Sequence, residues 1–90
     1  MYMVYVLYSL QFDKIYIGYT NNLEQRLISH NELGKKGWTI HFRPWTLIYQ
    51  ESFLAKQAAL RREKQLKSAK GREWIRNTLL GKGDGGLISA

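Results

Sequence analysis

The sequence predicts an α+β domain: a small antiparallel sheet covered by helices, in the order ββαβαα. Three observations predict it. Two stretches rich in β-branched and aromatic residues open the chain, with only a few residues between them. A segment with helix-capping residues and apolar positions at helical spacing follows. A third β-type stretch then runs into a long alanine-rich and strongly basic helical segment.

Residues 2–9 (YMVYVLYS) read as the first strand. Gln11, Phe12 and Asp13 form a short turn, and residues 14–20 (KIYIGYT) complete a hairpin. Alternate strand residues share a face, so Tyr5 goes with Leu7 and Tyr16 with Gly18. The two phenols emerge on one side if odd positions pair with even ones, a register that sequence leaves open. Gly18 weakens a strand interior, which suggests a bulge or the close approach of another group.

Thr20, Asn21 and Asn22 open a helix, with Asn21/Glu24 or Asn22/Gln25 as the capping pair. Leu23 and Leu27 form its buried stripe, with Ile28 beside it. Arg26 and His30, four apart, stack on one face next to that stripe. Residues 31–37 read as a loop with two glycines and two lysines. Arg43-Pro44 imposes an extended or turning backbone before the third strand, residues 46–53 (TLIYQESF). Ser52 is a candidate cap for a long helix reaching about Lys70, its inner stripe formed by Ala55, Ala58, Ala59 and Leu66. Gly71 interrupts, and residues 72–80 form a last short helix carrying Trp74, Ile75, Thr78 and Leu79. From Gly81 a glycine-rich stretch reads as a flexible tail, leaving residues 1–80 as the domain.

Composition bounds the function. A hydrophobic fraction of 44% with 13% aromatic residues favours folding over disorder. The absence of cysteine excludes disulfides, thiolate metal sites and a cysteine nucleophile, and fits a reducing, cytoplasmic compartment. No apolar run approaches the ~20 residues that span a bilayer. The apolar residues 1–9 lack a basic leader and a cleavage site, so no signal peptide is expected. The net charge is +7, and the excess is concentrated. Lys56, Arg61, Arg62, Lys64, Lys67, Lys70, Arg72 and Arg76 stand against only Glu63 and Glu73. Such a stripe reads as the footprint of a polyanion binder, most simply nucleic acid, or as a solvated helix face.

Phosphodiester hydrolysis needs an activator for the nucleophile, charge relief at phosphorus and help for the leaving oxygen. A guanidinium relieves charge. A carboxylate can hold magnesium, which accepts one or two carboxylates with waters and substrate phosphate. A tyrosine, with its ordinary pKa of ~10, acts as a base only beside positive charge. Tyr5, Tyr16, Arg26, His30 and Glu63 could supply these parts. Each also has an ordinary reading. The tyrosines could be packing residues, Arg26 a solvated side chain, His30 a surface or capping histidine, and Glu63 the partner of Lys67. Helical periodicity places Arg62 nearer the apolar stripe than Glu63. Phe12, Trp38, Phe42, Trp45 and Trp74 could stack on bases or fill the core.

Taken together, these elements resemble the short, stand-alone members of the GIY-YIG nuclease family. The likeness runs from about Tyr2 to Arg76. Tyr16-Ile17-Gly18 is literal, whereas Met3-Val4-Tyr5 keeps only the tyrosine of its element. Residues 19–31 (YTNNLEQRLISHN), 43–49 (RPWTLIY) and 58–67 (AALRREKQLK) follow in family order. The resemblance implies a three-stranded antiparallel sheet flanked by helices, and Mg2+- or Mn2+-dependent cleavage of DNA or, less directly, RNA. By family role, Tyr5 and Tyr16 line the site and one relays a proton from the attacking water. Arg26 steadies the phosphate, His30 takes part in proton transfer and Glu63 holds the metal. Gly18 lets the strand pack beside the site. Arg61, Arg62, Lys64, Lys67, Lys70 and Arg72 would contact the nucleic acid. Many family nucleases carry an asparagine where Ile75 stands here, with Asn77 nearby but displaced. Larger members add DNA-binding domains, so sequence specificity here would be weak unless a homodimer or a partner protein supplied it. The competing expectations are a non-catalytic nucleic-acid-binding module that kept the fold, and a protein-interaction adaptor.

Overall fold

The computed structural model describes residues 1–34 and 37–81. Strands β1 (Tyr2–Ser9), β2 (Lys14–Thr20) and β3 (Thr46–Phe53) form one antiparallel sheet in the order β2-β1-β3. All three strands fall where the apolar and β-branched stretches place them. The fold class is the expected one, an α+β domain with helices on both faces of the sheet.

Strand alternation divides β1 between two cores. Val4, Val6 and Tyr8 join Ile15 and Ile17 of β2 under Ala59, Leu66 and Ile75 of the C-terminal helices. Tyr5 and Leu7 join Trp45 on the opposite face, packed by Leu23, Leu27, Phe42 and Leu47. β1 is therefore buried on both sides and central, and β2 and β3 are the edges. The register slips by one residue between β1 and β3, where Val6 faces Tyr49 and Leu7 faces Leu47. The β1–β2 register is regular at Gly18, so of the two readings of that glycine the bulge does not hold and the close approach does.

Helix α1 (Leu23–Ile28) starts at Asn22, whose Oδ1 accepts from the Gln25 N–H at 3.1 Å, the second of the two capping pairs. It does not stop there. A π turn continues it over Ser29–Leu33, and so takes in residues 31–33, which the sequence suggests are loop. Arg43 explains the continuation. Its guanidinium donates to the carbonyl oxygens of Ser29, His30 and Gly34, which a helix end would otherwise leave unpaired. Asn31 is then fixed to the start of β3: its side chain accepts from the Trp45 N–H at 2.7 Å and donates to the Trp45 carbonyl at 3.0 Å. A short 3-10 turn, Trp38–Phe42, crosses between them.

The C-terminal helices differ from expectation in their breaks. Ser52 lies within β3 and does not cap a helix. Helix α2 runs Lys56–Lys67, starts at Ala55 with no side-chain cap, and ends at Ser68. The interruption is therefore Ser68, which accepts from the Gly71 N–H and so caps α3 (Ala69–Trp74); a π turn follows over Ile75–Leu79. Gly71 serves a different purpose. A Cβ there would run into the Gln65 carbonyl and come within 2.5 Å of Leu66 Cα, so only glycine lets α3 fold back against the end of α2. In α2 the stripe narrows to Ala59 and Leu66, since Ala55 and Leu54 are exposed. The glycine-rich stretch beyond Gly81 lies outside the described residues.

Candidate active site

The β1–β2 register determines where the phenols go. Tyr5 faces Gly18 and Leu7 faces Tyr16, odd with even. Tyr5 and Tyr16 therefore project from the same side, their ring centroids 6.1 Å apart. Gly18 makes room for them. A Cβ at that position would lie 2.8 Å from Tyr5 Oη and 3.0 Å from Tyr16 Cε2, closer than ordinary packing permits.

Behind the phenols sits His30, only 7% exposed. Its Nε2 is 3.0 Å from Tyr5 Oη and its Nδ1 is 3.2 Å from Thr39 Oγ1. A neutral imidazole accepts at one nitrogen and donates at the other, so it satisfies both contacts. Burial holds the His30 pKa below the usual imidazole value, and the Arg26 and Arg43 guanidiniums add to that. Burial also pushes the Tyr5 phenol up, reinforced by Tyr16 and outweighing the opposing pull of Arg26. Positive charge from Arg26 was the condition for a basic tyrosine. At Tyr5 burial overrides it, leaving a neutral phenol bonded to a neutral imidazole.

Tyr5, Tyr16, Gly18, Arg26, Lys56 and Glu63 line one open hollow of about 430 Å3, together with residues at the ends of β1 and β2. Arg26 comes from α1 on one side of the sheet, Glu63 from α2 on the other, and they meet across the β2 edge. The Glu63 side chain is 16% exposed and its Oε2 lies 3.3 Å from Lys67 Nζ. The helix pair and the site position are therefore both realised by one side chain. Glu63 is the single carboxylate among the described lining residues, and no group of three His, Cys, Asp or Glu side chains is assembled among the described residues. A lone carboxylate in a wet, open hollow fits a hard ion such as magnesium, which keeps most of its waters, and does not fit a multi-ligand zinc or calcium site.

The basic stripe divides. Lys67 and Arg72 reach the β2 side, where they join Lys14 and Arg76 around an adjoining hollow. Arg61, Lys64 and Lys70 line a separate face with Arg62. Arg62 itself is engaged: its Nε bonds Glu51 Oε1 at 2.9 Å and its guanidinium lies 5.9 Å from the Trp74 ring centroid. Ile75 is fully buried in the core, and Asn77 is exposed.

Several contributors escape a reading of the sequence. Lys14 shares a strand face with Tyr16 and Gly18, so alternation could have placed it. Lys56, in the first turn of α2, belongs to the basic stripe, but nothing in the sequence sets it beside the tyrosines. Thr39 and Arg43, which hold His30 and its helix, become legible only once the chain between α1 and β3 is folded.

A fold in which a tyrosine pair, an arginine and a lone glutamate meet at a sheet edge defines a class. The GIY-YIG catalytic domain model matches residues 1–77, and the chain belongs to the GIY-YIG nuclease family. Among its relatives, a UPF0213 protein of Staphylococcus haemolyticus is 41% identical over 56 residues, covering 62% of this chain and 68% of that one. One from Bacillus velezensis is 39% identical over 66 residues, covering 70% and 67%. One from Natronomonas pharaonis is 38% identical over 65 residues, covering 72% and 75%. In fold, the chain is similar to the solution NMR structure of a UPF0213 protein from Bacillus halodurans, with a TM-score of 0.51 at 24% identity over the whole of both chains. Nucleases of this family act on nucleic acids and generally use divalent metal ions. No described helix is long and apolar enough to cross a membrane.

Proposed function

We propose that this protein is a metal-dependent endonuclease that hydrolyses phosphodiester bonds in DNA. The observation that carries the proposal is the convergence of Tyr5, Tyr16, Arg26 and Glu63 on one hollow from four separate elements. Glu63 would hold Mg2+ or Mn2+. When bound, such an ion supplies charge neutralisation at the phosphoryl oxygens and lowers the pKa of a bound water.

The chain's own groups then divide the remaining work. Arg26 steadies the negative charge that builds on the phosphoryl oxygens as the water oxygen bonds to phosphorus and the ester bond breaks. Tyr16, the more exposed phenol, faces the water. The buried Tyr5 is suited to passing a proton rather than to carrying charge. A phenol that takes a proton on its oxygen while giving its own to His30 Nε2 never becomes a phenolate. The 3.0 Å contact lets His30 Nε2 take that proton, and because burial disfavours the imidazolium the stop is brief: the proton returns through Tyr5 to the leaving oxygen as the ester bond breaks.

Purified protein incubated with labelled single-stranded or branched DNA and Mg2+ or Mn2+ should nick it, and Glu63→Ala should abolish nicking while leaving the circular dichroism spectrum unchanged. One observation favours a second reading, a nucleic-acid-binding module without catalysis: Ile75, where the family resemblance implies an asparagine, is a fully buried core residue. Tight binding with no cleavage of DNA or RNA under either metal would establish that reading instead.

A further inference from the structure

A second hollow, of about 560 Å3, adjoins the first, and Tyr16 lines both. Its size is within the ~300–1,000 Å3 usual for clefts that take small molecules. Its lining is unlike the first. Lys14, Lys67, Arg72 and Arg76 supply four cations against one carboxylate, Asp13, and that carboxylate bonds Arg76 at 2.9 Å. Trp38 also lines this hollow.

Of the five aromatic residues able in principle to stack on a base, three are engaged in packing. Trp45 is buried, Trp74 packs on Tyr49, and Phe42 sits among Phe12, Trp38 and Leu7's cluster. Phe12 is exposed but does not line the hollow. Trp38 is 48% exposed and does line it. The indole is also braced, its centroid 4.8 Å from the Phe42 ring and 5.7 Å from the Trp45 ring. Lys14 Nζ lies 5.5 Å from the Phe42 centroid, which ties the cationic floor to the aromatic wall. A large aromatic residue with half its surface open, braced by two rings and lining the same hollow as several cations, is the combination that binds unpaired bases by stacking and their phosphates by charge.

We propose that this second hollow is a nucleotide subsite. It takes one unpaired base of a single strand, stacked on Trp38, with the neighbouring phosphates against Lys14, Lys67 and Arg72. The proposal rests on the nucleolytic reading only in placing the scissile phosphate next door, across Tyr16. It extends that reading to substrate class: a base in a duplex is stacked and paired, and must be extruded to reach the indole.

The test is binding of a fluorescent oligothymidylate with EDTA present, so that cleavage plays no part. Trp38→Ala should weaken binding about five- to a hundredfold, the usual effect of losing one base–aromatic stack, with the salt dependence unchanged because the phosphate contacts remain. Trp38→Phe should recover most of the loss. A set of oligonucleotides with an abasic residue at successive positions should lose affinity for the wild-type protein most sharply at one position, and that loss should vanish in Trp38→Ala. An abasic penalty that is flat along the strand in the wild type, a measurement needing no variant, would overturn the subsite. So would a position-dependent penalty that persists in Trp38→Ala. Failure of the nuclease reading shows separately, as intact DNA in the presence of metal.

Discussion

At the scale of residues, the two tyrosines are chemically alike but differ in what surrounds them. Tyr5 is 1% exposed and bonded to His30, whereas Tyr16 is half-buried at the hollow. Both Tyr5→Phe and Tyr16→Phe should lose cleavage. Only Tyr5→Phe should also lose about 1–3 kcal/mol of stability in urea unfolding, because it leaves a buried imidazole nitrogen unpaired. His30 predicts a pH dependence. Its folded pKa is lowered, so the unfolded chain takes up a proton that the folded chain resists. The stability associated with neutral His30 is whole above about pH 6.5 and is lost as pH falls below it, by at most about 1.4 kcal/mol per pH unit for one proton. Unfolding midpoints measured through that range should drop more steeply in the wild type than in His30→Gln. That Tyr5, Tyr16, Arg26 and Glu63 are candidates to converge on one hollow was legible in the sequence, because their types and order are distinctive. Their protonation was not, because burial of Tyr5 and His30 is a property of the folded layers.

At the scale of elements, strands were easier to read than helix ends. The bounds of β1, β2 and β3 follow from β-branched and aromatic runs closed by turn residues. Helix ends depend on partners remote in sequence. Arg43 extends α1 through residues that look like a loop, and Ser68 breaks a helix that periodicity carries further. Gly71 illustrates the same point, since its requirement comes from the backbone of α2 and not from a turn. Gly71→Ala should therefore destabilise by about 1–3 kcal/mol or more, as overpacking does, although alanine is the better helix former. A chemical-denaturation midpoint at or above that of the wild type would show that α3 can move away from α2 at little cost.

At the scale of the whole molecule, the sheet edge is the organising feature. Helical layers on both faces bring Arg26 from one side and Glu63 from the other past β2, and cationic side chains continue along that edge. Nucleic-acid affinity should fall steeply with salt as Lys and Arg contacts release counterions. Lys67→Ala and Arg72→Ala should reduce that slope, whereas Arg61→Ala and Lys64→Ala, on the other face, should leave it nearly unchanged. The total charge and its concentration in one segment are legible in the sequence, but the division between two faces depends on how α2 rolls on the sheet. The most direct measurement of the convergence itself is paramagnetic broadening by Mn2+ in the amide NMR spectrum. Signals of Tyr16, Gly18, Arg26 and Glu63 should broaden together at low Mn2+ and stay sharp in Glu63→Ala. Broadening centred elsewhere, or unchanged in that variant, would contradict a single cation site shared by these distant residues.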